Sequence, residues 1–284
     1  MNTSKGFLIF VQAGEQKDYL GQAVALAQSI KIFNKISDVT IMTNCVLKSE
    51  QRDYFDKVIG IPGTDEAQSQ DWKIQNRHKI YEASPYGETI VLDSDMLCLD
   101  SIDYWWDILG NTDLYFTNEV KNYLGEKAKT NILYRKTFIK NNLPNIYCGM
   151  FYFKKTKYND KFFAVLSEVM QNYKEYARKY CREHIQQWCS LDVSTAITCK
   201  IMKHTNKIAS PNLTFTHMKT KLQNWNVNEN WLQDIPVAYD NKLNVKINNV
   251  VQKQLLHYVQ DNFLNSELKE IIQNLWKEKT YSLA

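Results

Sequence analysis

The sequence predicts an α/β domain with a mostly parallel central sheet flanked by helices. Short apolar runs alternate with helical periodicity through the first hundred residues, and one of those runs stops abruptly at a pair of aspartates. Strands that alternate with helices pair in parallel, and such sheets bind ligands beyond the carboxyl ends of their strands.

Phe7-Leu8-Ile9-Phe10-Val11 is a continuous apolar run, as a strand buried on both faces requires. Tyr19, Ala23, Ala27 and Ile30, with Leu20 and Val24, then recur at three- and four-residue spacing and mark one helix face. Val39-Thr40-Ile41-Met42 and Lys57-Val58-Ile59-Gly60-Ile61-Pro62 read as two further strands. Residues 71–83 read as a helix, broken by Ser84-Pro85-Tyr86-Gly87. Thr89-Ile90-Val91-Leu92 is a fourth strand that runs into Asp93-Ser94-Asp95. Farther on, 147–153 reads as a strand, 159–180 and 185–202 as helices, and 213–217 and 243–259 as strand-like. A final amphipathic helix carries Leu268, Ile271, Ile272, Leu275 and Trp276 on one face. No Pro-, Gly- or Ser-rich linker and no repeat interrupts the chain, so 1–284 is expected to be one domain. Its expected parts are a ligand-binding half over 1–100, a second half over 101–264 and a C-terminal helix over 265–284.

Composition excludes several classes. At 44% hydrophobic and 23% charged residues, with nine Gly and five Pro, the chain is neither disordered nor fibrous. No stretch reaches the ~18 apolar residues of a membrane span, and the opening run is too short for a signal peptide. Cys45, Cys98, Cys148, Cys181, Cys189 and Cys199 form no C-x-x-C pair, which argues against zinc-ribbon and dithiol chemistry; reduced cysteines in a cytoplasmic protein are expected. The net charge is +4, yet residues 121–182 hold 14 Lys/Arg against 4 Asp/Glu. Such a bias suggests an anionic partner, the alternative being a solvated helix face.

A D-x-D triplet is a weak signal alone, because a chain of this length yields about one by chance. Here it closes an apolar strand and is followed by Met96-Leu97-Cys98-Leu99. Two carboxylates at the end of a buried strand are costly without a partner, and a divalent cation is a natural one. The alternative is a pair of turn or helix-capping aspartates.

Three stretches resemble the GT-A glycosyltransferases, and within them family 8, which includes glycogenin and bacterial galactosyltransferases. Phe10-Val11-Gln12-Ala13-Gly14, with Tyr19-Leu20-Gly21-Gln22-Ala23 and Ser29-Ile30-Lys31, is similar to that family's opening strand, nucleotide loop and first helix. Ser84-Pro85-Tyr86-Gly87-Glu88-Thr89 leads into Val91-Leu92-Asp93-Ser94-Asp95-Met96 as in its D-x-D region. Leu255-Leu256-His257-Tyr258 is similar to its late metal-binding strand. The likeness covers most of 6–100 and thins to isolated motifs beyond.

The resemblance implies a single GT-A domain and a nucleotide-diphosphate sugar donor, a UDP-sugar, transferred with retention. Val11, Gln12 and Ala13 would line the base and ribose, and Tyr19 would stack on the base unless it merely packs on the core. Arg77, or Lys79 in its place, would reach the donor. Asp93, Ser94 and Asp95 would face the diphosphate, with Asp93, Asp95 and His257 holding Mn²⁺ or Mg²⁺. Cys148 and Gly149 would lie beside the donor sugar. Asp192 would be the catalytic residue nearest the anomeric carbon, as nucleophile or as charge stabiliser.

Departures from the family pattern fall at two places. Tyr147 stands where the family has Asn, and Gln260 and Phe263 replace the Gly and the diphosphate-gripping Lys after the late His. His217, Lys219 and Lys221 are substitutes, His217 for the metal and the two lysines for phosphate. The acceptor could be a polyanion such as a modified base in DNA, as for phage DNA glycosyltransferases, if the rings and cations of 121–182 form a groove. Rival readings are a nucleotidyltransferase, disfavoured by the Gly-poor loop at 12–17, and a non-catalytic carbohydrate- or polyanion-binding module.

Overall fold

The computed structural model describes residues 4–14, 17–65, 67, 74–208, 213–223 and 225–283. Its strands are β1 (Lys5–Val11), β2 (Val39–Thr43), β3 (Lys57–Ile59), β4 (Glu88–Leu92), β5 (Met96–Cys98), β6 (Leu114–Thr117), β7 (Tyr147–Lys154), β8 (Thr216–His217), β9 (Val237–Ala238), β10 (Lys246–Ile247), β11 (Val250–Val251) and β12 (Leu255–His257). The helices are α1 (Tyr19–Phe33), α2 (Ser49–Arg52), α3 (Ile80–Ala83), α4 (Tyr104–Leu109), α5 (Lys136–Lys140), α6 (Lys157–Gln171), α7 (Tyr173–Tyr180), α8 (Leu191–Met202), α9 (Thr220–Gln223) and α10 (Ser266–Leu283).

Six strands form the central sheet in the order β3-β2-β1-β4-β7-β6. The first four are parallel, and β7 runs antiparallel between β4 and β6. The sheet is therefore mostly parallel and covered on both faces, which is why its strands read as unbroken apolar runs. Alternation decides which face each side chain serves. Phe7, Ile9 and Val11 pack with α1 and Trp106, whereas Leu8 and Phe10 pack with residues of α6 and α8. A third cluster joins Leu97, Leu256 and Tyr258 to Leu268 and Ile272 of α10.

The chain leaves the large sheet at the end of β4. After Asp93-Ser94-Asp95 it enters a second, three-stranded sheet of order β5-β12-β8. There His257 lies in register with Met96 on one side and with His217 on the other. The D-x-D turn is thus the corner between two sheets.

Several expected elements differ. The helix expected over 159–180 is two helices, α6 and α7, separated at Asn172, whose Nδ2 donates to the Glu168 carbonyl and so competes with the helical ladder. The helix expected from 185 begins only at Leu191, where Ser190 caps it by accepting from the Val193 N–H. Residues 182–183 are instead tied to the Asn141 side chain. Of the expected helix at 71–83, residues 71–73 lie outside the described set, Gln75–Lys79 is a 3₁₀ turn and α3 completes it. The stretch 243–259 breaks into β10, β11 and β12, with left-handed Asn248 and Asn249 making the tight turn between the first two. The stretch 213–217 keeps only β8 as strand.

Tyr86 lies across β1 at Gly6, where an added Cβ would sit 2.3–2.5 Å from the tyrosine ring. The Tyr86 hydroxyl accepts from Thr40 Oγ1 at 2.9 Å, which fixes the ring there. Gly6→Ala is expected to destabilise the protein by roughly 1–3 kcal/mol through overpacking. The same change in a Tyr86→Ala background should cost much less, as a chemical-denaturation double-mutant cycle would measure; equal costs would refute the close approach.

Candidate active site

Asp93, Asp95 and His257 meet at the corner between the sheets. One ligand atom from each lies within 4.8 Å of the other two, and among the described residues this is the group with the geometry to hold a metal. Backbone contacts set each position. The Asp93 N–H donates to the Gly149 carbonyl at 2.9 Å, the Tyr258 N–H to the Asp95 carbonyl at 3.2 Å, and the Met218 N–H to the His257 carbonyl at 3.0 Å.

Each carboxylate faces a cation. Arg77 pairs with Asp93 and lies above the Phe10 ring, 5.7 Å from its centroid. His257 Nε2 sits 2.9 Å from Asp95 Oδ1. Burial works against charge on Asp95 and on His257, but each outweighs it for the other: the carboxyl is held below its ordinary range and the imidazole above. His257 Nδ1 is buried without a hydrogen-bond partner. Two hard carboxylates and one imidazole are a donor set that suits a divalent cation.

His217 stacks on His257 with ring centroids 4.4 Å apart. Burial, reinforced by the His257 charge, pushes its imidazole well below its ordinary value. Its Nδ1 accepts from the Lys219 N–H at 3.3 Å. His217 is therefore a neutral wall behind His257 and is not one of the three converging groups.

The lysines near this corner separate clearly. Lys219 Nζ donates to the Tyr134 hydroxyl at 2.8 Å, and its charge bears on both His217 and His257. Lys221 instead pairs with Glu229 at 2.7 Å in an exposed bridge. Lys79, the alternative to Arg77, donates to the Thr64 carbonyl. Lys17, which sequence reasoning passed over, pairs with Asp261 at 3.3 Å and bears on Asp95 and Tyr19.

Beyond the carboxyl end of β1 a polar cradle surrounds Gln12 and Ala13. Asp65 accepts from Gln12 Nε2 and Asn76 Nδ2, both at 2.6 Å, and from Asn44 Nδ2 at 3.1 Å, while Asn44 Oδ1 accepts from the Ala13 N–H at 2.7 Å. Val11 is buried and pairs with Thr43 of β2, and Ser94 is buried inside the D-x-D turn. Tyr19 opens α1 with its ring next to Gly14 and half packed on the core. Sequence reasoning missed Asp65, Asn44 and Asn76, which are loop and turn polar residues whose pairing is entirely tertiary.

On the other side of the corner, β7 bulges. Phe116 of β6 pairs with Phe151, but Thr117 pairs with Tyr147, leaving Cys148, Gly149 and Met150 without a partner on β6 while Met150 still pairs with Leu92 of β4. The bulge frees the Cys148 N–H to donate to Asp192 Oδ1 at 2.9 Å. Burial first, and Asp192 second, push the Cys148 thiol well above its ordinary value, so it stays neutral. Asp192, in the first turn of α8, also receives Arg135 Nη1 on Oδ2 at 3.1 Å. Arg135 was counted in the sequence as one basic residue among many; it is almost fully buried.

The rings of the basic segment 121–182 give little support to a groove of rings and cations. Tyr147, Tyr152 and Phe153 are buried in the core, and Tyr123, Tyr134 and Tyr158 are partly buried. Lys154 and Lys155 spend their amines on the carbonyls of Gly110 and Tyr81. Among the described residues no helix is long and apolar enough to cross a membrane.

The whole arrangement has known counterparts in fold. The structure is similar to that of the galactosyltransferase LgtC, solved with donor and acceptor sugar analogues, at 13% identity over 96% of this chain and 95% of that one, with a TM-score of 0.56. It is also similar to the bifunctional glycosyltransferase WbbM at 13% identity, over 99% of this chain and 52% of that one, with a TM-score of 0.51. The glycosyltransferase GlyE of Streptococcus pneumoniae aligns at 12% identity and a TM-score of 0.49; the chain spans 60% of GlyE's length. Neither a protein-family model nor a curated protein sequence matches the chain. The expected fold is met: an α/β domain with a central sheet flanked by helices, similar in fold to the galactosyltransferase LgtC.

Gly149 is where the bulge meets the corner. A Cβ there would stand 3.1 Å from Phe215 Cζ and 3.3 Å from His257 Nδ1, so Gly149→Ala must displace the imidazole by a few tenths of an ångström. Because outer contacts of a metal site carry about 10–100-fold in affinity, Mn²⁺ binding by calorimetry should weaken by about tenfold. Unchanged binding would show that the ring does not serve the metal.

Proposed function

We propose that this protein is a metal-dependent glycosyltransferase that moves a sugar, with retention, from a UDP-sugar to an acceptor. The observation that carries the reading is the convergence of Asp93, Asp95 and His257 at the sheet corner of a glycosyltransferase-type fold.

Asp93, Asp95 and His257 would hold Mn²⁺ or Mg²⁺, which as a Lewis acid neutralises charge on the departing nucleoside diphosphate. The chain's own residues do the rest. Arg77 keeps Asp93 aimed at the corner and adds a fixed positive charge beside the diphosphate. Lys219, anchored on Tyr134 next to the two histidines, takes the place of the phosphate-gripping lysine that the sequence lacks after His257. Tyr19 and the cradle around Gln12 and Ala13 receive the nucleoside, with Asp65 fixing the cradle. The bulge at Cys148 and Gly149, with Asp192 beside it, receives the sugar.

Release of UDP from UDP-glucose, UDP-galactose or UDP-GlcNAc tests the reading. It should require Mn²⁺ or Mg²⁺, stop with a chelator, and fall roughly a hundredfold or more in Asp95→Ala, which removes a metal ligand. Turnover indifferent to chelation would overturn the metal assignment.

The lysines provide an internal contrast. Lys219→Met should lower kcat by about a hundredfold, the scale for one preorganised donor to a developing anion. Lys221→Met should leave steady-state kinetics unchanged, because its amine is occupied by exposed Glu229. The reverse pattern would move the phosphate grip to α9.

A further inference from the structure

Arg135 belongs to no motif read from the sequence, yet its environment is among the most specific in the molecule. Its side chain is 2% exposed. The guanidinium is sandwiched between two rings, 3.8 Å from the Phe138 centroid and 4.0 Å from that of Tyr147. Nε donates to Asn145 Oδ1 at 2.9 Å, Nη2 to the Ile146 carbonyl at 2.6 Å and Nη1 to Asp192 Oδ2 at 3.1 Å. A planar fork held on both faces and by three acceptors has one orientation.

Asn145 and Asp192 are the partners of this fork that are not fully buried, and the Asp192 side chain is 28% exposed. Its second oxygen is taken by the Cys148 N–H at 2.9 Å. Both oxygens therefore have a donor from the protein, one from a fixed cation and one from the bulge of β7. A carboxylate oxygen accepts two hydrogen bonds, so each retains a lone pair. The Cys148 contact places this partly exposed group beside the bulge of β7.

We propose that Arg135 is a positioning residue: it fixes Asp192 as a rigid hydrogen-bond acceptor for a hydroxyl of the donor's sugar, and so sets how tightly the sugar is held and which hydroxyl arrangement is accepted. This rests on the glycosyltransferase reading above. Arg135 itself touches neither sugar nor metal. A carboxylate tied by a guanidinium on one oxygen and an amide on the other is less nucleophilic and cannot swing, which suits recognition of a hydroxyl better than attack on carbon. Discrimination between sugars that differ at one hydroxyl is strong where a buried polar group would be left unpaired by the wrong one.

The test compares the parent protein with Arg135→Met, Arg135→Lys and Asp192→Asn. Binding of UDP with Mn²⁺ is measured by calorimetry, folding by thermal melting, and steady-state kinetics on UDP-glucose and UDP-galactose. In Arg135→Met, UDP binding should stay within about twofold of the parent while kcat/KM on the preferred sugar falls roughly tenfold to a hundredfold, the scale of lost outer contacts. The ratio between the two sugars should shrink with it. Arg135→Lys, which keeps charge but loses the fork, should recover part of the loss. Asp192→Asn should resemble Arg135→Met, and the double variant should be little worse than either single one, because the two act as a unit. If Arg135→Met melts below the assay temperature, Arg135→Lys and Asp192→Asn carry the comparison. Undiminished sugar discrimination in a folded Arg135 variant, or losses that multiply in the double variant, would overturn the proposal and leave the wider reading intact. A parent that binds no UDP with Mn²⁺ would sink both.

Discussion

Asp93 and Asp95 place two carboxylates at the tip of a buried strand, with ligand atoms no more than 4.8 Å apart. At an effective dielectric of about 20, like charges at that separation repel by about 3 kcal/mol, a large share of a domain's net stability. The fold answers the repulsion by bringing one cation to each. Arg77 comes from the turn before β4, and His257 comes from the far end of the chain on β12. Nothing local could deliver His257. It arrives because β5, which continues directly from the D-x-D turn, is the edge on which β12 pairs, and the register His257↔Met96 sets the ring beside Asp95. The small sheet thus exists where the two charges need it. A divalent ion would satisfy both carboxylates at once, so the same geometry that stabilises the corner is consistent with the metal-dependent transfer proposed above.

How much of this was legible follows from what each residue's role depends on. The strands of the large sheet are buried on both faces, so Phe7 through Val11 and Thr89 through Leu92 announce themselves as apolar runs, and Asp93 and Asp95 stand out by interrupting one. His257 was legible only through its family-like surroundings, since a three-residue strand such as β12 has no periodicity to read. Asp65, Asn44 and Asn76 were invisible because their meeting around Gln12 depends on how three separate loops close, which no local pattern encodes. The early end of α6 was in principle readable at Asn172, whose side chain favours bonds to the backbone behind it.

Arg135 shows what charge counting leaves out in the middle of the chain. A tally over 121–182 treats every Lys and Arg as a surface cation, because charged residues are almost never fully buried unless paired. Arg135 is the exception, and its pair, Asp192, lies 57 residues away. The rings that made the segment look like a stacking surface have the same explanation. Tyr147 covers one face of that guanidinium, while Tyr152 donates its hydroxyl to Glu88 at 2.6 Å in the interior. At Arg135, Phe138 and Tyr147, basic and aromatic residues interleave because the core holds an ion pair with rings on the guanidinium.

The two acidic centres are joined by two consecutive residues of backbone, Cys148 and Gly149. In the bulge of β7 the Gly149 carbonyl accepts from the Asp93 N–H, and the preceding Cys148 N–H donates to Asp192. Each centre also has its own arginine, Arg77 for Asp93 and Arg135 for Asp192, and each arginine lies over an aromatic ring. A carboxylate on a free loop could change its distance from the corner, but the Asp93 backbone and the Asp192 carboxylate are held by consecutive residues of a central strand. Any shift of β7 carries both together and leaves their separation unchanged. Under the proposed reading, in which one end would grip a diphosphate and the other a sugar, that constancy matters more than either contact alone, and strands supply it better than loops do. The bulge therefore reconciles two demands: β7 stays paired in the sheet, and it still turns one N–H and one C=O toward the two acids.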